Sequence, residues 1–115
     1  MIVDDNTDAA LLLREVLAAD GHQVAMFGEP TTALEYALVH KPKACILDIG
    51  LPGMDGYELA RRLRAISTMA GATLVALTGY GQSHDKVLSE AAGFDYHFVK
   101  PVDISELKAV FSRIR

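Results

Sequence analysis

The chain has 115 residues, a formal net charge of −4 and a single cysteine. At about 100–200 residues per domain this is one domain, and one cysteine excludes an internally disulfide-stapled secreted scaffold. No basic cluster marks a nucleic-acid binder, no apolar run approaches the ~20 residues that span a bilayer, and Met1-Ile2-Val3-Asp4-Asp5 turns acidic too early for a signal peptide.

Apolar residues at 50% and charged residues at 23% leave enough of both for one core under a charged surface. Short apolar runs alternate with amphipathic stretches. Ile2-Val3 is the first strand. Leu12, Leu13, Val16 and Leu17 follow at helical spacing, with Asn6 as N-cap and Gly21 as stop. His22–Phe27 reads as the second strand. Pro30 suits the first turn of a helix carrying Ala33, Leu34, Ala37 and Leu38.

Ala44-Cys45-Ile46-Leu47, ending in Asp48, is a strand buried on both faces, as in parallel sheets. Leu51-Pro52-Gly53-Met54-Asp55-Gly56 is a loop, and Leu59, Leu63 and Ile66 form the third helical stripe. Leu74–Leu77 is a fourth strand ending in Thr78. Val87, Leu88, Ala91 and Ala92 predict a helix stopped by Gly93. Tyr96–Val99 is the last strand, ending in Lys100-Pro101. Asp103 and Glu106 resemble a capping box before Leu107, Val110, Phe111 and Ile114. Five strand–helix alternations predict an α/β domain, a parallel sheet with helices on both faces. The short first strand and the last stripe, uncapped at Arg115, suggest that residues 1–115 are one domain of a longer chain.

Ligands of an open parallel sheet bind outside the carboxyl ends of its strands. Those ends carry Asp4 and Asp5, Asp48, Thr78 and Lys100. Three converging carboxylates repel unless a cation joins them, and hard oxygen donors suit Mg²⁺. Asp48 closes a buried strand, where an unpaired charge is expensive. Taken alone, Asp4-Asp5 reads equally as a solvated loop, whereas Asp48 is more telling and a helix-cap role is its lesser reading. Together the set suits a carboxylate nucleophile toward phosphorus, with a metal, a hydroxyl and an ammonium around the phosphoryl oxygens.

Asp4-Asp5-Asn6, the segment Leu47-Asp48-Ile49-Gly50-Leu51-Pro52-Gly53-Met54-Asp55-Gly56, Leu77-Thr78-Gly79 and Val99-Lys100-Pro101 resemble the response-regulator receiver domain of two-component signalling, in a style similar to receivers of hybrid sensor kinases. The resemblance spans essentially the whole chain. It implies a flavodoxin-like, doubly wound (βα)5 sheet with strand order 2-1-3-4-5. It implies Asp48 as phosphoacceptor, with Asp5 and Asp48 as direct Mg²⁺ ligands, Asp4 as a ligand directly or through water, and the backbone carbonyl of Gly50 as a further one. Thr78 becomes the switch hydroxyl, Lys100 the phosphoryl-binding lysine, and the peptide before Pro101 is expected cis. His97 stands at the switch-propagation position, where the family carries Tyr or Phe. A phosphohistidine of a sensor kinase or phosphotransfer domain is the implied donor, and the fourth helix, fifth strand and fifth helix the output face. The implied setting is cytoplasmic, with self-catalysed phosphorylation and slow dephosphorylation in place of turnover.

Other residues read as ordinary. Cys45 and Met54 belong to packing. His22, His40 and His84 read as surface residues, and Arg61, Arg62 and Arg64 as a solvated helix face; His97 reads either as the switch or as an outward strand residue. Two further functions stay open: a pseudo-receiver that docks partners without phosphorylation, and an aspartyl-nucleophile phosphohydrolase. The latter is disfavoured because Asp48-Ile49-Gly50 lacks the second aspartate of haloacid dehalogenase-like phosphatases.

Gly50 and Tyr80, each two residues beyond a site residue, flank the expected path of an in-line water. Neither pair member predicts a well-held water, so the phosphoryl group should be long-lived. Gly50→Asn combined with Tyr80→Glu should speed its loss about tenfold, or ~1.4 kcal/mol of barrier. The decay of purified phosphoprotein in Mg²⁺ checks this; an equal or slower loss contradicts it.

Overall fold

Ala44–Leu47 and Leu74–Leu77 contain no polar side chain, so neither face of either run can be left to water. In the computed structural model of the protein, which describes residues 1–51, 53–79 and 86–114, both runs lie at the centre of one sheet. The strands are β1 (Ile2–Val3), β2 (Met26–Phe27), β3 (Ala44–Asp48), β4 (Thr73–Thr78) and β5 (Tyr96–Val99). All pair in parallel, in the order β2-β1-β3-β4-β5. The helices between them are α1 (Thr7–Ala19), α2 (Pro30–His40), α3 (Gly56–Ala65), α4 (Lys86–Ala92) and α5 (Ile104–Phe111). This is the flavodoxin-like arrangement.

Alternation along the strands divides the core in two. Val3, Cys45, Leu47, Leu74 and Ala76 face α2, α3 and the end of α4. Ile2, Ile46, Val75 and Leu77 face α1 and α5. Cys45 is fully buried, and burial pushes its thiol up to about 11. It is a packing residue, inert at neutral pH.

Helix starts follow the expected chemistry. Asn6 Oδ1 accepts from Ala9 N at 3.1 Å, Asp55 from Glu58 N at 2.9 Å, and Asp103 from Glu106 N at 3.2 Å. Pro30 occupies the first turn of α2.

Some expected boundaries and stripes differ. The second strand is Met26–Phe27, shorter than the predicted His22–Phe27, because its parallel partner β1 offers only Ile2 and Val3 to pair with. Ile66 caps α3 from outside the helix. Leu12 and Leu38 are exposed, while the smaller Ala10, Ala33 and Ala37 face the sheet. On α4 the predicted stripe holds only in part: Ala92 is buried as expected, but Val87, Leu88 and Ala91 are exposed and Ser89 is buried instead.

Arg64 also departs from its reading as a solvated residue. Its Nε and Nη2 donate to Gly93 O at 3.0 and 2.7 Å, and Nη1 donates to Ala70 O at 3.1 Å and to the Ala72 carbonyl. Nη2 also pairs with Asp95 Oδ2 at 2.8 Å, the same oxygen that accepts Leu74 N at 2.9 Å. The planar guanidinium thus joins the end of α3 to the start of β4, the end of α4 and the approach to β5. Gly93 leaves room for it: φ there is +100°, and a Cβ would sit 2.7 Å from Arg64 Cγ.

Removing several charge-assisted bonds together should be expensive. Arg64→Ala is expected to lower stability by about 2–3 kcal/mol, Arg64→Lys to recover less than half of the loss, and Arg61→Ala to change it by under about 0.5 kcal/mol. Urea titration of the three variants checks the ranking.

Candidate functional site

The ladder of backbone hydrogen bonds continues past the strand ends and fixes the segments that leave the sheet. Asp4 N donates to Phe27 O at 3.0 Å, Ile49 N to Leu77 O at 2.9 Å, and Lys100 N to Thr78 O at 2.7 Å. Asp4, Asp48, Thr78 and Lys100 are therefore held at one edge by main chain. One carboxylate oxygen from each of Asp4, Asp5 and Asp48 lies within 4.8 Å of the others. Asp4 and Asp48 are buried, at 2% and 7% exposure, whereas Asp5 is exposed.

Lys100 crosses the sheet edge to meet this charge. Its Nζ lies 2.9 Å from Asp4 Oδ2 and 3.6 Å from Asp48 Oδ2. Each aspartate also caps its own loop: Asp4 Oδ1 accepts from Asn6 N at 2.9 Å, and Asp48 Oδ1 from Gly50 N at 3.0 Å. Burial pushes the Asp48 carboxyl above its ordinary value and the Asp4 charge adds to this, while the Gly50 N–H and Lys100 pull it back. Burial alone would depress the Lys100 ammonium, but Asp4 and Asp48 outweigh it and hold Lys100 above its usual value.

Thr78 is buried, and its Oγ1 lies 2.9 Å from Nε2 of His97. His97 is only half-buried yet faces the core side of its strand, beside Thr78, so the outward reading is replaced by an inward one. The Lys100–Pro101 peptide is cis. Gly50 is exposed at the mouth of the site, and Tyr80 lies outside the described residues.

Three further residues position the site through contacts that the sequence reading did not assign to them. Asn6 supplies the N–H that fixes Asp4. Gly56 lets α3 start against the end of β3: its N donates to Ile49 O at 3.0 Å, and a Cβ there would lie 2.6 Å from Ile49 Cα and 2.8 Å from Asp48 O. Asp95 links Arg64 to Leu74 N at the opposite end of β4.

Chemically, the pocket offers an oxygen-only donor set for a hard cation, one nucleophilic carboxylate, and a hydroxyl and an ammonium for a neighbouring anion. The chain is similar to known proteins along nearly its whole length. Residues 1–112 match the response regulator receiver domain. The chain is 32% identical over 108 residues to sporulation initiation phosphotransferase F of Bacillus subtilis, covering 94% of this chain and 86% of that one. It is 37% identical over 116 residues to the DNA-binding response regulator MtrA of Mycobacterium tuberculosis, covering 100% of this chain and 50% of MtrA, so it spans about half the length of that relative. The receiver domain of the sensor histidine kinase PA1611 from Pseudomonas aeruginosa, a structure with a magnesium ion coordinated in its active-site cleft, superposes with a TM-score of 0.86 at 26% identity, covering 97% of this chain and 92% of that one.

The chain belongs to the response regulator receiver-domain family, and is a regulatory domain of two-component signalling. Among the described residues no helix is long and apolar enough to cross a membrane.

The charge arrangement predicts opposite effects at two positions. In EDTA, Asp48→Asn should raise stability by about 1 kcal/mol, since it removes a buried like charge and keeps an acceptor for Gly50 N. Lys100→Ala should lower it by about 2 kcal/mol, less than a fully buried pair because Lys100 remains 27% exposed. Chemical denaturation of both variants checks the signs.

Proposed function

We propose that Asp48 accepts a phosphoryl group from a phosphohistidine of a sensor kinase or phosphotransfer domain. The observation that supports this most directly is the pairing of Lys100 with both Asp4 and Asp48 at the carboxyl edge of the sheet. Held by Gly50 N through Oδ1, Asp48 presents its other oxygen to the pocket. That oxygen attacks phosphorus as the phosphorus–nitrogen bond breaks; the electron pair stays on the imidazole, which takes a proton from solvent. Lys100 exchanges part of its contact with the carboxylates for a phosphoryl oxygen, and Thr78 offers its hydroxyl to another.

The donor set fits Mg²⁺: Asp4, Asp5, Asp48 and the Gly50 carbonyl would hold it, with water filling the remaining positions. When bound, the ion supplies charge neutralisation for the phosphoryl oxygens. Asp4 and Asp48 are held by main-chain N–H groups at the strand ends, so these two ligands are pre-positioned, while Asp5 is exposed.

The same reading assigns the output face to α4, β5 and α5, where Val87 and Val99 are exposed apolar residues and Val99 pairs in register with Thr78. It makes the domain a cytoplasmic phosphoryl carrier with slow self-catalysed loss of the group and no substrate turnover. Gly50, which has no side chain to orient a water, supports a long lifetime.

Incubation with phosphoramidate and Mg²⁺ should add one phosphoryl group by intact mass, and none to Asp48→Asn. Millimolar Mg²⁺ should raise the melting temperature of the native chain, and Asp5→Asn should abolish both the rise and the labelling. A fully labelled Asp48→Asn variant would refute the assignment, and an Mg²⁺-silent native protein would favour a docking module that is never phosphorylated.

A further inference from the structure

The bond between Thr78 and His97 faces the wrong way for a hydroxyl that serves Asp48. Strand β4 lies between β3, which carries Asp48, and β5, which carries His97. In register, Ala76 pairs with His97 and Thr78 with Val99, so Thr78 and His97 are diagonal neighbours on one face of the β4–β5 pair. With Oγ1 at 2.9 Å from Nε2, the hydroxyl is engaged on the β5 side. To reach a phosphoryl group on Asp48 it must turn about χ1 to the β3 side, and its methyl group takes the place beside the imidazole.

We infer that His97 is a positioning residue that latches Thr78 in the unphosphorylated arrangement, so that this receiver resists its own activation. The inference rests on the reading of Asp48 as phosphoacceptor and deepens it. Thr78 is 1% exposed, so water does not readily replace a bond that is given up. A hydroxyl has one proton and two lone pairs, and the imidazole engages it with one nitrogen whichever of the two donates. Turning to the phosphoryl oxygen therefore exchanges one good bond for another, and only the difference drives the switch. An apolar ring at position 97 would leave the hydroxyl without that partner on the β5 side, and the turned arrangement would gain population. The latch also ties the phosphoryl site to the exposed output face, because Val99 lies two residues beyond His97 on the same side of β5.

Beryllofluoride, a phosphoryl mimic, titrated into the purified chain at fixed Mg²⁺ tests this. His97→Phe should tighten its binding about fivefold, the size of one buried neutral hydrogen bond. His97→Gln, which keeps a polar group at similar reach, should stay within about twofold of native. In a Thr78→Ala background, His97→Phe should have no effect, because a latch acts only through the hydroxyl. A packing role for His97 would instead weaken binding, or change it equally in both backgrounds, and either result overturns the latch. If His97→Phe fails to fold, long-range proton–nitrogen spectra of the native protein decide. The Nε2 resonance should shift when beryllofluoride binds, and an unchanged ring overturns the proposal. A native chain that neither binds beryllofluoride nor labels at Asp48 overturns the underlying reading of the site, which is distinct from a native chain that labels but shows no coupling between Thr78 and His97.

Discussion

Two buried carboxylates, Asp4 and Asp48, share one ammonium at the carboxyl edge of the sheet. Lys100 satisfies Asp4 at close range and reaches Asp48 more weakly, which leaves negative charge in excess. Around this imbalance the rest of the site makes sense. The main-chain N–H groups of Asn6 and Gly50 hold one oxygen of each aspartate and leave the other facing the pocket. A site with surplus buried charge is stable only as a compromise, and it has a standing attraction for a cation. The same surplus lowers the stability of the fold, and a bound cation would offset it.

The scaffold that sustains this compromise is stiff where it must be. Each site residue leaves a parallel strand whose ladder extends one hydrogen bond past its end. The close approach of Gly56 to Ile49 and Asp48 fixes the loop that follows Asp48. At the opposite edge, Arg64 gathers the carbonyls of Ala70, Ala72 and Gly93 and the carboxylate of Asp95. That clamp ties the end of α4 to α3 and to the strands flanking it. Beyond that clamp, the described part of α4 and β5 carry the exposed apolar side chains Val87, Leu88 and Val99.

The acidic cluster lies between β1 and β3, and the Thr78–His97 contact lies between β4 and β5. Thr78 is the residue with access to both, since it ends the strand between them. Its burial excludes water from the choice, so the alternatives open to its hydroxyl are protein groups or a ligand.

The sequence by itself determined the order of elements, the parallel sheet and the set of residues at its edge. Apolar runs that end in Asp48 and Thr78 can only be buried strands whose polar ends emerge together, and the Asn6 and Asp103 caps depend on neighbours three residues away. Contacts between distant segments were decided by the tertiary structure alone. Arg64 has the spacing of a solvated residue, and nothing local shows that Gly93 and Asp95 will stand beside it. Val87 and Leu88 look like part of a core stripe with Ala92, but only Ala92 is buried and Ser89 takes the inner place beside it, because the placement of α4 follows the strands it crosses and not its own hydrophobicity. His97 was ambiguous for the same reason: alternation gives two faces, and only the β4–β5 register shows that its ring meets the hydroxyl of Thr78.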